Sequence, residues 1–351
     1  MSQPDFSQFS CPLPKTDYDT IQMAHGAGGR MSADLIERVF MPVFGNATLE
    51  KLEDQATLAF GREKLAFSTD SFVVSPIFFP GGTIGELAVN GTVNDLAMSG
   101  AEPKVLSVGF IIEEGLPIAD LHEILLSMRR ACDKAGVQIV TGDTKVVNKG
   151  HCDKIFINTS GIGVIPENVH ISAHRIQPGD KIILSGTIAD HGMAIMSVRE
   201  GLSFESVIQS DTAALNHLVR DMLRVSTEIH AMRDPTRGGL ATTLNELAQA
   251  SHVGVQILEE RIPLREEVKA ACEILGIDPL YVANEGKLVA FVAPEVADAM
   301  LEAMRQNPLG KDAAIIGEAV EAHAGKVTMQ NIYGMERIID MPVGEQLPRI
   351  C

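Results

Sequence analysis

Tryptophan is absent and tyrosine occurs only three times, so the chain has few aromatic faces on which bases or sugars can stack. Basic residues are outnumbered: 29 Lys and Arg stand against 46 Asp and Glu, a net charge of -17. That balance lacks the basic face that a phosphate backbone selects, and it excludes nucleic acid as the expected partner. It leaves nucleotides open, because metal ions and backbone amides can hold their phosphates. Cysteine is sparse. Cys11, Cys132, Cys152, Cys272 and Cys351 form no CxxC pair and are odd in number. Neither a zinc cluster nor a disulfide framework is expected, and a reducing compartment fits. His151-Cys152, adjacent in a polar turn, reads as incidental. No apolar run approaches membrane-spanning length, and no basic segment followed by an apolar run opens the chain. A cytoplasmic protein without a membrane partner is expected.

At 351 residues, 45% of them hydrophobic, the chain is long for one core and two domains are expected. Residues 1–20 read as a loose leader. A first domain, 21–170, carries strands near 64–67, 105–112, 137–140 and 154–164. Between them Leu121, Ile124, Leu125, Met128 and Cys132 follow a helical period over 118–135, which makes Cys132 a core residue. The turn cluster Ile176-Gln177-Pro178-Gly179-Asp180 marks a boundary. A second domain, 176–340, carries strands near 181–184, 255–258, 288–292 and 313–316. Its helices fall near 213–225, 240–251, 265–275 and 295–306. The fold class is α/β (α+β). Asn94-Asp95-Leu96-Ala97 echoes Asn245-Glu246-Leu247-Ala248, too short a match to establish duplication.

Several segments suit phosphate and metal chemistry. His25-Gly26-Ala27-Gly28-Gly29-Arg30 lets backbone N–H groups converge on an anion, yet it is neither a Walker A sequence nor a Rossmann fingerprint. Asp54, Asp70, Asp95 and Asp143 fall at strand ends, loop tips or in a helix, where carboxylates serve as hard ligands for Mg2+; each alone also reads as a turn or capping residue. If residues 85–98 are helical, Glu86, Asn90 and Asn94 share one face. Asn is a poor helix former, so that stripe reads as ligands rather than a solvated surface. Asp190, Asp234 and Arg237 stand in glycine-bearing segments at helix starts, where negative charge is favoured. Asn284-Glu285-Gly286-Lys287 precedes an apolar strand and puts Glu285 at a pocket edge.

The last residue is Cys351. Residues 341–350 hold two prolines and a glycine with no period, and Pro348 biases Leu347 toward an extended form. The tail, 341–351, reads as a mobile arm that carries a reactive sulfur.

Asn90-Gly91-Thr92-Val93-Asn94-Asp95-Leu96-Ala97-Met98-Ser99-Gly100-Ala101-Glu102-Pro103 resembles the signature of the aminoimidazole ribonucleotide synthetase superfamily. That superfamily includes selenophosphate synthetase and thiamine monophosphate kinase. His25 to Gly29, Gly142 to Val147, Ser185 to Gly192, Asp234 to Gly239 and the terminal Pro348-Arg349-Ile350-Cys351 are similar to one branch, the HypE hydrogenase-maturation proteins. The resemblance implies a two-domain fold whose first domain pairs with a second copy into a homodimer and binds ATP near that interface. It implies an ATP- and Mg2+-dependent carbamoyl dehydratase. A carbamoyltransferase, HypF, would load Cys351, and a HypC–HypD complex would receive the cyanide destined for the [NiFe]-hydrogenase iron. His25, Gly26, Gly28, Gly29, Asp70, Asn94, Asp95, Asp143 and Thr144 would bind ATP. Asp54, Asp70, Asp95 and Asp143 would hold metal, and Lys145 or Glu285 would be the base. Two alternatives keep part of this reading: a small-molecule kinase or cyclising ligase of the same superfamily, and an ATP-regulated scaffold whose tail docks a partner.

Overall fold

A computed structural model describes residues 22–26, 29–61, 63–201, 207–342, 344, 347, 350 and 351. The leader, Cys11 and Gly28 lie outside the described residues.

The chain enters through a helical run that starts with α1 (Arg30–Leu35) and ends with α2 (Met41–Phe44). The first sheet is built from β1 (Ala56–Phe60), β2 (Glu63–Phe72), β5 (Glu102–Glu113), β6 (Gln138–Val147) and β7 (Ile155–Ile165). A two-residue ribbon, β3 (Phe78–Phe79) with β4 (Gly82–Thr83), stands apart from it. The strand order is β1-β2-β7-β5-β6, with only the β5–β6 pair parallel. Helices α3 (Ile84–Met98) and α4 (Ile118–Ala135) cover one face.

α3 starts where Thr83 Oγ1 accepts from the N–H of Gly85 and Glu86 at 3.1 and 3.3 Å, an N-cap. It is buried almost all round rather than along one stripe, as a helix enclosed between a sheet and other helices must be. Close approach demands glycine: a Cβ on Gly85 would lie 2.5 Å from the Ile124 carbonyl oxygen. α4 follows the expected period, and Cys132 is buried. Burial pushes its thiol up to about 11. The other face of the first sheet is left open, with Phe67, Ile111 and Ile162 each about two-fifths exposed.

Asp70 and Asp143 do not end strands. β2 runs on to Phe72 and β6 to Val147. The inward positions Ser68 and Asp70 are polar, so the apolar alternation that marks a strand stops at Phe67 although the ladder continues. β1 was not expected from the sequence.

The second sheet contains β8 (Lys181–Leu184), β9 (Ile229–Arg233), β10 (Gly254–Leu258), β11 (Val289–Val292), β12 (Ala314–Val320), β13 (Val327–Gln330) and β14 (Glu336–Ile339). Its order is β14-β13-β10-β12-β8-β11-β9. Around it lie α5 (Asp190–Arg199), α6 (Asn216–Val225), α7 (Gly239–Ser251), α8 (Glu266–Leu275) and α9 (Ala297–Gln306). The last four match the expected helices to within a few residues; β9, β13 and β14 were missed. One apolar cluster runs from Leu87 and Ile124 of the first half through Met193 and Val268 of the second to Leu347 and Ile350 of the tail. The two halves therefore share a core, and the tail closes it.

Candidate active site

Of the tail, read from the sequence as a mobile arm, the described residues Leu347, Ile350 and Cys351 are docked against the body of the chain. Leu347 and Ile350 are 8% and 5% exposed. The Ile350 carbonyl oxygen lies 2.7 Å from His191 Nε2, and the Cys351 carbonyl oxygen accepts from Val73 N–H at 3.1 Å. Burial of these two apolar side chains contributes on the order of 1.5–3 kcal/mol each. Part of Cys351 stays accessible. Burial nonetheless pushes its thiol up to about 12, with the Arg237 guanidinium opposing and Glu285 and Asp70 adding to the rise. The docked thiol is therefore a weaker acid than a free one.

Carboxylates from both halves act on one another, and two of them, Glu285 and Asp70, act on the thiol. Asp70 lies on β2, Asp95 on α3, Asp234 just after β9 and Glu285 before β11. Burial raises all four, and their mutual repulsion adds to it in Asp95, Asp234 and Glu285. Asp234 is pushed up to about 8, first by burial and then by Asp54. Glu285 is held well above the usual range by burial, then by Asp234, Asp70 and Asp211, against Arg237. Its Oε1 is buried with no hydrogen-bond partner. Asp95 accepts a 2.5 Å hydrogen bond from Ser68 Oγ. Cys351 is the first cause holding Arg237 in its charged form; Asp70, Glu285 and Asp95 add to it against burial. Asp54 is already engaged, 2.9 Å from Arg233 Nη1, and burial carries its carboxyl up to about 6. Among the described residues no three His, Cys, Asp or Glu side chains converge to ligation distance. These acids feel one another's charge without being gathered around an ion.

Other expected site residues fall elsewhere. In β6, Asp143 pairs across to Gly109, Asn158 and Ser71, while Asp70 pairs with Thr159. Side chains alternate along a strand, so Asp143 and Lys145 lie on the open face, opposite Asp70. Both are exposed and form an ion pair at 2.7 Å. Thr144 points the other way but stays exposed on the edge strand. The single chain therefore does not bring Lys145 to Cys351 as a base, nor Asp143 to the other acids as a metal ligand. His25 and Gly26 lie in a short turn whose His25 Nδ1 accepts from Gln22 N–H at 2.9 Å. Gly29 abuts the start of the tail: an added Cβ would meet the Pro342 carbonyl oxygen at 2.5 Å.

Asn94 is not free for a ligand. Its Nδ2 donates to the carbonyls of Ala213 and Glu285, and its Oδ1 accepts from Leu215 N–H at 2.8 Å. Asn90 similarly donates to Thr212 at 3.2 Å. The asparagine stripe of α3 thus ties down the segment 212–215 instead of a substrate. Asp190 begins α5, accepts from Thr187 Oγ1 and faces Arg265 at 3.6 Å, so it stands outside the acidic cluster.

Sequence reasoning missed four groups. His191 lay in the quoted glycine segment beside Asp190 and was passed over. Lys287 closed the quoted segment beside Glu285 and was likewise passed over; Ser210 and Asp211 carry no period or motif of their own. Asp211 and Lys287 form a buried pair at 2.9 Å, and Asp211 accepts from the N–H of Glu285 and Gly286 at 3.1 and 3.3 Å. Burial raises the Asp211 carboxyl, but Lys287, His191 and these hydrogen bonds outweigh it and hold it low.

Residues 52–165 match the N-terminal domain of AIR synthase related proteins, and 177–330 match the C-terminal domain. Carbamoyl dehydratase HypE of Azotobacter vinelandii is 53% identical over 332 residues, covering 95% of this chain and 97% of that one. A crystal structure of a HypE–HypF complex superposes with a TM-score of 0.84 at 52% identity, covering 88% of this chain and 99% of that one. A crystal structure of HypE in complex with ATP gives 0.80 at 50% identity, covering 95% and 100%. No helix among the described residues is long and apolar enough to cross a membrane.

Proposed function

The chain belongs to the HypE carbamoyl dehydratases of hydrogenase maturation, and on that premise we propose that it uses ATP to dehydrate a carbamoyl group carried on the Cys351 thiol. The product is a thiocyanate, the source of the cyanide ligands of the [NiFe]-hydrogenase iron. The observation that carries this reading is that Cys351 is docked, its main-chain oxygen on Val73 N–H, with its thiol within electrostatic range of Arg237, Glu285 and Asp70, groups from both halves.

An amide oxygen is a poor leaving group. Its attack on the γ-phosphorus of ATP expels ADP and makes the oxygen part of a phosphate. One nitrogen proton is lost as the C=N bond forms. Loss of the second proton and of phosphate then gives the S–C≡N group. Glu285 is the base. Burial, and then its neighbouring acids, hold its carboxyl well above the usual range here, and positive charge entering the cluster lowers it toward a competent base. Asn94 and Asp211 fix its backbone. Arg237 faces the charge that develops on the carbamoyl oxygen. The donor set fits Mg2+: hard, buried, mutually repelling carboxylates, with Glu285 Oε1 unsatisfied. Asp70 and Asp95 would hold the ion together with ATP phosphates, where it would neutralise the transferring phosphoryl charge.

We assign 21–170 to ATP binding and dimerisation, 176–340 to the other wall of the pocket and 341–351 to the carrier arm. The open face of the first sheet, with Phe67, Ile111 and Ile162, supports pairing with a second copy. Asp143, Thr144 and Lys145 then lie near that junction, as phosphate contacts rather than as the base. HypF, seen in complex with the related HypE, is the proposed donor of the carbamoyl group and a HypC–HypD complex the acceptor of cyanide. The test is the intact mass of the C-terminal peptide after incubation with the carbamoyltransferase and carbamoyl phosphate, then Mg-ATP. Gain of one carbamoyl on Cys351 followed by loss of one water is expected. No adduct in the presence of an active transferase overturns the reading.

A further inference from the structure

His191 is fully buried in the first turn of α5. Its Nε2 lies 2.7 Å from the carbonyl oxygen of Ile350, the residue before Cys351. A carbonyl only accepts, so Nε2 must carry the hydrogen. Nδ1 is then the acceptor, 2.7 Å from Ser210 Oγ. That hydroxyl in turn accepts from Thr212 N–H at 3.1 Å, and the Ser210 N–H donates to Pro80 at 2.8 Å. Phe79 presents its ring at 89° to the imidazole with centroids 5.5 Å apart. The tautomer and plane of His191 are thus set before the tail arrives. Burial lowers its tendency to protonate, which keeps Nδ1 an acceptor. The companion contact, Val73 N–H to Cys351, comes from the other half of the chain.

We propose that His191 is a positioning residue, a latch whose single N–H sets the balance between the docked tail and the released tail. The inference rests on the proposed role of Cys351 as carrier, because only a tail that must be both loaded outside and processed inside needs such a balance. Removing the donor lowers the docked population and should act with opposite sign on two steps. Exposure of Cys351 rises, while dehydration of a pre-loaded carbamoyl group falls. A purely structural residue moves neither in that pattern.

The experiment uses the full-length protein and a maleimide, without ATP or transferase, and reads alkylation of the C-terminal peptide by mass. It therefore reports the latch even if Cys351 is never carbamoylated. His191→Leu is expected to speed alkylation about five- to tenfold, the factor for one lost hydrogen bond. His191→Gln, whose amide can donate at similar reach, should restore most of the slow rate. Should the leucine variant fail to fold, Ser210→Ala removes the hydroxyl that fixes the tautomer without touching the tail, and a smaller rise of about two- to threefold is expected. In single-turnover dehydration of pre-carbamoylated protein, each variant that labels faster should react slower. Alkylation at the wild-type rate in folded leucine and alanine variants, or a glutamine variant that labels as fast as leucine, overturns the latch.

Discussion

The side-chain amide of Asn94, near the end of α3, donates to the backbone carbonyl of Glu285 at 3.3 Å. A first-half helix thereby sets the position of the second-half carboxylate proposed as the base. Asn94→Ala leaves the Leu215 N–H and the Ala213 and Glu285 carbonyls without this partner. At about 1–3 kcal/mol for a buried group left unpaired, the loss should be about 3 kcal/mol by denaturant unfolding. A loss under about 1 kcal/mol means that water or neighbouring groups replace the amide.

Glu285→Gln should separate the two halves of the reaction. Cys351 should still accept a carbamoyl group, and dehydration should slow by about 100-fold or more, the usual contribution of a positioned base. The glutamine keeps the size of the side chain and takes a charge out of a cluster of buried, mutually repelling acids, so folding stability at pH 8 should hold or rise. Dehydration at the normal rate would remove Glu285 from the mechanism.

Acid titration gives a signed test. Asp54 and Asp234 titrate in the folded chain near about 6 and about 8, both above the 3.8 of an unfolded Asp. Between these limits the folded state holds protons that the unfolded state has released, so stability falls as pH rises from about 4 to 8. Thermal unfolding in a chelator should show that decline, and Asp234→Asn should flatten it. An unchanged slope in the variant would place the pH dependence elsewhere.

Gly85 is the second residue of α3, where alanine would ordinarily gain less than the ~1 kcal/mol of a helix interior. Here its Cβ would lie 2.5 Å from Ile124 O and 2.7 Å from Ser127 Oγ. Overpacking of this kind costs about 1–3 kcal/mol, and backbone cannot yield as a flexible side chain can. Gly85→Ala should therefore lower stability by about 1–2 kcal/mol, measured by denaturant unfolding; a stabilised variant would show that α3 and α4 can move apart.

Where a residue's neighbours in sequence carried the signal, the sequence was readable. The period of Ile124, Met128 and Cys132 placed α4, and the terminal position of Cys351 in an aperiodic segment marked it as unusual. The acids Asp70, Asp95 and Asp234 and the cation Arg237 were picked by type and company, and the fold brings them within electrostatic range of one another. Asn94 was read as a ligand because asparagine costs helix propensity; three backbone groups from segments over a hundred residues away account for that cost instead.

By itself the sequence determined the α/β class and the family, and it singled out several of the acids, because residue type, spacing and local period are properties of the chain. Tertiary structure alone decided which acids share one space. Strand alternation sends Asp70 to the covered face of the first sheet and Asp143 to the open one, a choice set by pairing register that no local pattern records. It also decided that the tail is seated, since the His191 N–H that meets Ile350 comes from 159 positions away in the chain and exists as a partner only once both halves have packed.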